Sequence, residues 1–230
     1  MQHLVRRLSL LFPVVGALSA CGGNGSSDPH WVGKTYLLDY VPAANWTKPK
    51  GVGSDVGAYV PQFLIGVAAG TGSDLAITLT TAVDGSQDMC NPTTPVTVSG
   101  ANYPSSEISV PSLPIHVVDT DSAHPASVHS TAHDFLLKDV LPADSAAKVG
   151  ELDATVDLGE LYKLFYLVPN ATPDAVCQTL NQAGVPCDVC AFNQQPYCLT
   201  LQASQIVASK SAATIKPLAD SDIASDPSCQ

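Results

Sequence analysis

The densest group of metal-ligating side chains is His124, His129 and His133, in the run His-Pro-Ala-Ser-Val-His-Ser-Thr-Ala-His-Asp. Neutral imidazoles bind zinc and copper, and carboxylates can complete such sites. On a strand, positions 129, 131 and 133 point to one side, so His129 and His133 could share a metal with Asp119 or Asp121. The plainer reading is two surface histidines and one buried, hydrogen-bonded ring. His133-Asp134 as a catalytic pair is disfavoured, because neighbours on a strand face opposite ways. Serine hydrolase chemistry needs a nucleophile held against a base. Gly51-Val-Gly-Ser-Asp-Val-Gly57 is glycine-rich, but its serine directly follows a glycine and does not fit Gly-x-Ser-x-Gly. It reads as a loop. Asp119-Thr-Asp121 and Asp220-Ser-Asp-Ile-Ala-Ser-Asp226 offer oxygen ligands for calcium but lack the glycine and terminal glutamate of an EF-hand loop. They read as solvated acidic loops. No compact catalytic motif stands in the chain.

Cysteine carries more information. Cys21 closes the tetrapeptide Leu18-Ser19-Ala20-Cys21, at the end of an apolar run from Leu8 that follows Arg6-Arg7. The run is too short to span a bilayer, which takes about 20 residues. It has the basic start, apolar middle and small-residue end of an export signal. The tetrapeptide resembles the lipobox of bacterial lipoprotein precursors. That resemblance implies removal of residues 1–20 and a covalent lipid on Cys21; no cofactor is expected besides that lipid. Two acyl chains suffice for stable anchoring, so the partner it implies first is a membrane, held through lipid. Gly22 rather than an aspartate after the cysteine resembles the sorting signal for the outer membrane.

Six further cysteines remain: Cys90, Cys177, Cys187, Cys190, Cys198 and Cys229. An even number in an exported chain reads as disulfides. The close spacing from Cys177 to Cys198 would also suit zinc, and Cys187-Asp-Val-Cys190 a redox pair. The export address favours bridges. Short local loops favour Cys177–Cys187 and Cys190–Cys198, leaving Cys90 for Cys229.

With Arg6 and Arg7 removed, eight lysines face 21 acids, a formal charge of −13. Such a surface repels nucleic acid and anionic headgroups. The lack of any later arginine removes the side chain best suited to bidentate phosphate recognition. No phosphate-cradling glycine loop argues back.

The elements that must position these residues are mostly strands. Lys34 to Tyr40, Pro61 to Ala69, Asp74 to Thr81, Pro95 to Val98, Ile108 to Val110, Ile115 to Val118, Ser127 to Lys138, Ala154 to Leu158 and Tyr197 to Leu201 read as strands between turn signals. Leu75, Ile77 and Leu79 share one face at period two. Turns recur at Asp84-Gly85, Asn91-Pro92 and Gly100-Ala-Asn102, and the 18 prolines disfavour long helices. Two helices are expected. Gly159 to Leu167 aligns Leu161, Leu164 and Phe165. Thr172 to Gly184 has a capping threonine, Pro173 in the first turn and a terminal glycine. The organisation is a signal peptide over 1–20, a flexible tether over 21–28 and one β-rich domain over 29–230, cysteine-rich from about 172. Its fold class is mainly β, a sandwich or small barrel with a disulfide-stapled C-terminal helix–hairpin. Trp31-Val-Gly-Lys-Thr-Tyr36 resembles the opening strand of lipocalin-like barrels over six residues.

Two function classes follow. The favoured one is a non-enzymatic envelope lipoprotein that binds a small ligand or another envelope protein. The other is an envelope hydrolase or metal-dependent enzyme whose site is assembled from residues distant in sequence. An apolar interior cavity supports the first; converging titratable groups support the second.

Overall fold

Alternation at period two builds most of the molecule. In the computed structural model the described residues are 31–38, 46–50, 59–71, 74–99, 107–119, 126–141, 150–165, 168, 170–206 and 208–229. The lipobox with Cys21, the tether, the loop at 51–57, the turn at 100–102, Asp121 and His124 lie outside them. Strands β1 (Lys34–Leu38), β3 (Gln62–Ala69), β4 (Leu75–Val83), β5 (Ser86–Gln87), β6 (Thr94–Val98) and β11 (Ala208–Ser211) form one antiparallel sheet. Its order is β11-β1-β3-β4-β5, with β6 also paired to β4. The second sheet runs β2 (Trp46–Lys48), β10 (Cys198–Ile206), β9 (Gly150–Asp157), β8 (Ala126–Lys138), β7 (Glu107–Asp119).

The two sheets share one apolar core. Leu75, Ile77 and Leu79 are all buried on one face of β4, as their spacing requires. Phe63 of β3 and Phe135 of β8 bring the sheets together, with ring centroids 5.2 Å apart. Trp31 and Tyr36 are both buried, and β1 lies inside its sheet between β11 and β3. The chain passes from the second sheet to the first where β10 gives way to β11. A register shift between Ser204 and Ile206 bends it there, with Gln205 in the left-handed region at φ 62°. Gly150 faces this bend: a Cβ on it would sit 2.2 Å from the Ile206 carbonyl oxygen.

The sequence divides Ile108–Val110 from Ile115–Val118, but they form the single strand β7. Pro111 and Pro114 look like breakers, yet β7 is an edge strand with a partner on one side only, where prolines are tolerated. Asp84-Gly85 is the two-residue turn of the β4–β5 hairpin, with φ 50° and 73°. Among the helices, α1 (Leu158–Leu161) is shorter than its spacing suggests and continues as a 3-10 turn over Tyr162–Leu164. The Asp157 side chain caps it by accepting from the Gly159 N–H. The second helix, α2 (Pro173–Gln182), has Thr172 as its cap and Gly184 beyond its end at φ 83°. The acidic stretch read as a loop holds a one-turn helix, α3 (Asp220–Ala224).

All three expected disulfides form: Cys177–Cys187, Cys190–Cys198 and Cys90–Cys229. The first two staple α2 and the following loop to the start of β10. The third ties the C-terminal segment to the turn after β5. Among the described residues no helix is long and apolar enough to cross a membrane.

Candidate functional site

Three separate segments converge on the outer face of the second sheet. Leu113, Ile115 and Val117 of β7 point into the core, so His116 between them faces outward. Its ring is nonetheless only 6% exposed. Asp88 reaches it from the turn after β5, where the Asp88 N–H donates to the Thr81 carbonyl at 3.0 Å. Ser127 reaches it from the start of β8. In the β7–β8 ladder His116 pairs with His129 and Val118 with Ser127, so Ser127 is the diagonal neighbour of His116.

The contacts are short. His116 Nδ1 lies 2.7 Å from Asp88 Oδ2, and His116 Nε2 lies 2.7 Å from Ser127 Oγ. Asp88 is an acceptor throughout: Thr81 Oγ1 donates to its Oδ2 at 3.0 Å and the Cys90 N–H to its Oδ1 at 2.8 Å. Burial alone would push the Asp88 carboxyl up. The hydrogen bond from His116, the Cys90 N–H, the charge of the imidazole and the Thr81 hydroxyl together outweigh it and hold Asp88 below its ordinary value. An ionised Asp88 accepts from Nδ1–H, and in the neutral ring Nε2 is then the nitrogen that accepts from the Ser127 hydroxyl. This is a hydroxyl held against a base that is itself oriented by a carboxylate, the relation that activates a serine for attack on a carbonyl carbon.

A groove of about 380 Å³ opens beside this cluster. His129 connects the two, since its ring stacks on His116 at 4.4 Å between centroids and also lines the groove. Cys90, whose N–H holds Asp88, lines it too, as do Asn91, Pro114, Asp220 and Ile223. Asn91 Nδ2 donates to the Pro114 carbonyl at 3.1 Å, while its Oδ1 is buried without a partner. The C-terminal segment forms the far wall. It is held by Cys90–Cys229 and by paired bonds between Thr93 and Leu218: Thr93 N–H to the Leu218 carbonyl and Leu218 N–H to Thr93 Oγ1, both 3.0 Å.

The histidines singled out from sequence are separated. His129 and His133 do share a face, but four residues of strand place them about 13 Å apart, beyond reach of one ion. Their rings also have different partners, His129 on His116 and His133 on Phe192 at 3.5 Å. Among the described residues no group of three His, Cys, Asp or Glu could hold a metal. Asp134 sits in the left-handed region at φ 50°, in the bulge of β8 against β9. The interior cavity between the sheets is apolar, lined by Phe63, Phe135, Leu152 and Leu201 among others, and measures about 40 Å³. Small-molecule sites run from about 300 Å³ upward.

Sequence reasoning passed over Asp88, His116 and Ser127. The available signal was a single imidazole inside the apolar run Ile115-His-Val-Val118, which demands hydrogen-bonding partners if buried. Nothing local says that they come from positions 88 and 127. No family model, curated protein or solved structure matches this chain.

Proposed function

We propose that this chain is a cell-envelope lipoprotein, anchored through lipid on Cys21, whose β-rich domain is a serine-dependent acyl hydrolase. The observation that carries the enzymatic reading is His116, held at 2.7 Å from both Asp88 and Ser127. In the proposed reaction Ser127 Oγ attacks the carbonyl carbon of an ester and His116 Nε2 takes the hydroxyl proton. The ester C–O bond breaks, and the leaving alcohol carries that proton away. An acyl group remains on Ser127. Water then attacks it, again giving its proton to Nε2, and the acid and the free serine are released. Asp88 holds the ring in the required tautomer and stabilises the imidazolium. Leu18-Ser19-Ala20-Cys21 supports the address, because small residues directly before a cysteine at the end of a short apolar run resemble a lipobox.

Turnover of 4-nitrophenyl esters by the full chain in detergent tests the enzymatic reading. Hydrolysis should fall about 10³-fold or more in Ser127→Ala and in His116→Ala, with the fold of each variant checked by circular dichroism. Turnover that is absent, or unchanged in both variants, contradicts this reading. That outcome favours the non-enzymatic alternative, a tethered module that binds a ligand or envelope partner.

A further inference from the structure

Asp88 is held from two sides. On one, its N–H donates to the Thr81 carbonyl and its Oδ2 accepts from Thr81 Oγ1, both at 3.0 Å. On the other stands the segment 215–229. Ile215 packs over Gly66, whose neighbours Ile65 and Val67 face the core, so the segment crosses the outer face of the first sheet. It then meets the chain around Asp88. Gln87 Nε2 donates to the Lys216 carbonyl at 2.8 Å, and the Lys216 N–H donates back to Gln87 Oε1 at 2.7 Å. Thr93 and Leu218 exchange their bonds beyond it. Between these contacts Cys90 is bridged to Cys229, and the N–H of the same Cys90 donates to Asp88 Oδ1 at 2.8 Å. Positions 87, 90 and 93 are thus all fixed by this segment, with Asp88 among them.

The bridges differ in access. Cys190 and Cys198 are buried. Cys177 and Cys187 are only 10 positions apart, so their thiols stay close if opened and pair again readily. Cys90 and Cys229 are half-buried, line the groove and lie 139 positions apart. A small reductant reaches them from the groove, and only hydrogen bonds then keep their thiols together.

We infer that segment 215–229 is a positioning strap for Asp88, and that a dithiol reductant lowers acyl hydrolysis by opening Cys90–Cys229. This rests on the acyl-hydrolase reading and adds its regulation. One thiolate of the reductant attacks a bridge sulfur, and its second thiol then resolves the mixed disulfide. Two electrons and two protons pass to Cys90 and Cys229, and the reductant leaves as a cyclic disulfide. The chain at Cys90 relaxes, its N–H moves off Asp88 Oδ1, and the carboxylate keeps only its Thr81 side. His116 is then held less firmly against Ser127, and small misplacements of reacting groups are costly in rate.

The full chain in detergent, titrated with dithiothreitol, tests this. Opened cysteines are mapped by alkylation and peptide mass spectrometry while hydrolysis of 4-nitrophenyl acetate is followed. Opening of Cys90–Cys229 should lower kcat about 10–10²-fold with KM within about twofold, and reoxidation should restore it. Amide hydrogen exchange over 88–93 should rise about tenfold or more in the same samples. A Cys90→Ala, Cys229→Ala variant should start at the lowered rate and ignore dithiothreitol. Gln87→Ala keeps the bridge and removes both bonds to Lys216, so it tests the strap whether or not the double variant folds. It should lower kcat about 2–5-fold. Ser127-dependent turnover with kcat unchanged in the opened chain, or opening of another bridge ahead of Cys90–Cys229, overturns the switch and leaves the hydrolase reading standing. Absence of Ser127-dependent turnover in the bridged chain overturns both.

Discussion

Asp88 determines what His116 can do. Its carboxylate accepts from the ring, from the Thr81 hydroxyl and from the Cys90 N–H, and those bonds keep it ionised despite burial. The sign of the consequence is fixed. A carboxyl whose folded value lies below its unfolded one, about 3.9, contributes stability above that value and loses it as pH falls through the folded value. Thermal melts from pH 7 down to pH 3 should therefore show the unmodified chain losing more Tm in the acid range than Asp88→Asn. Parallel curves for the two proteins contradict the assignment of that acid sensitivity to Asp88. The same variant should cut ester hydrolysis about 10²–10⁴-fold, because an amide NH₂ facing Nδ1 favours the wrong tautomer. Residue types alone could not disclose this arrangement. A serine, a histidine and an aspartate at positions 127, 116 and 88 form no motif, and their order along the chain carries no spacing rule.

The strands explain why those three residues meet. Antiparallel pairing of β7 with β8 sets His116 opposite His129 and one diagonal step from Ser127. The β4–β5 hairpin delivers Asp88 to the same face. The elements themselves were legible in the sequence, because period-two alternation and the turn residues report local conformation directly. Leu75, Ile77 and Leu79, the cap at Thr172 and the turn at Asp84-Gly85 stand as the residue types imply. Pairing was not legible, because nothing in β7 states which strand lies beside it. Prolines misled for the same reason, since their cost depends on whether the strand is an edge. Disulfide pairing was easier, since two of the three loops are short, 10 and 8 residues. Opening Cys90–Cys229, whose cysteines are 139 positions apart in sequence, should cost about 2–5 kcal/mol by urea denaturation of a Cys90→Ala, Cys229→Ala variant. Phe135→Ala, which removes half of the ring contact between the sheets, should cost about 3–5 kcal/mol in the same assay. A loss below about 1 kcal/mol for either contradicts its place in holding the sheets and the C-terminal wall together.

At the scale of the whole molecule, 21 acids face eight lysines and no arginine beyond Arg7, so weak binding to polyanions is expected. The proposed site lies on an outer sheet face instead of in the 40 Å³ interior, so substrate need not enter the core. Anchoring through Cys21, as proposed, would hold the domain near a membrane surface. Intact mass of the envelope-derived protein should begin at Cys21 and include acyl chains, whereas a free N-terminal thiol contradicts the anchor. A fluorophosphonate reacts with a serine only when a base activates it, and the adduct can be mapped by peptide mass spectrometry. Labelling of the full chain should fall on Ser127 alone and should disappear in His116→Ala. No adduct, or an adduct on another serine that persists without His116, contradicts the catalytic reading of Asp88, His116 and Ser127.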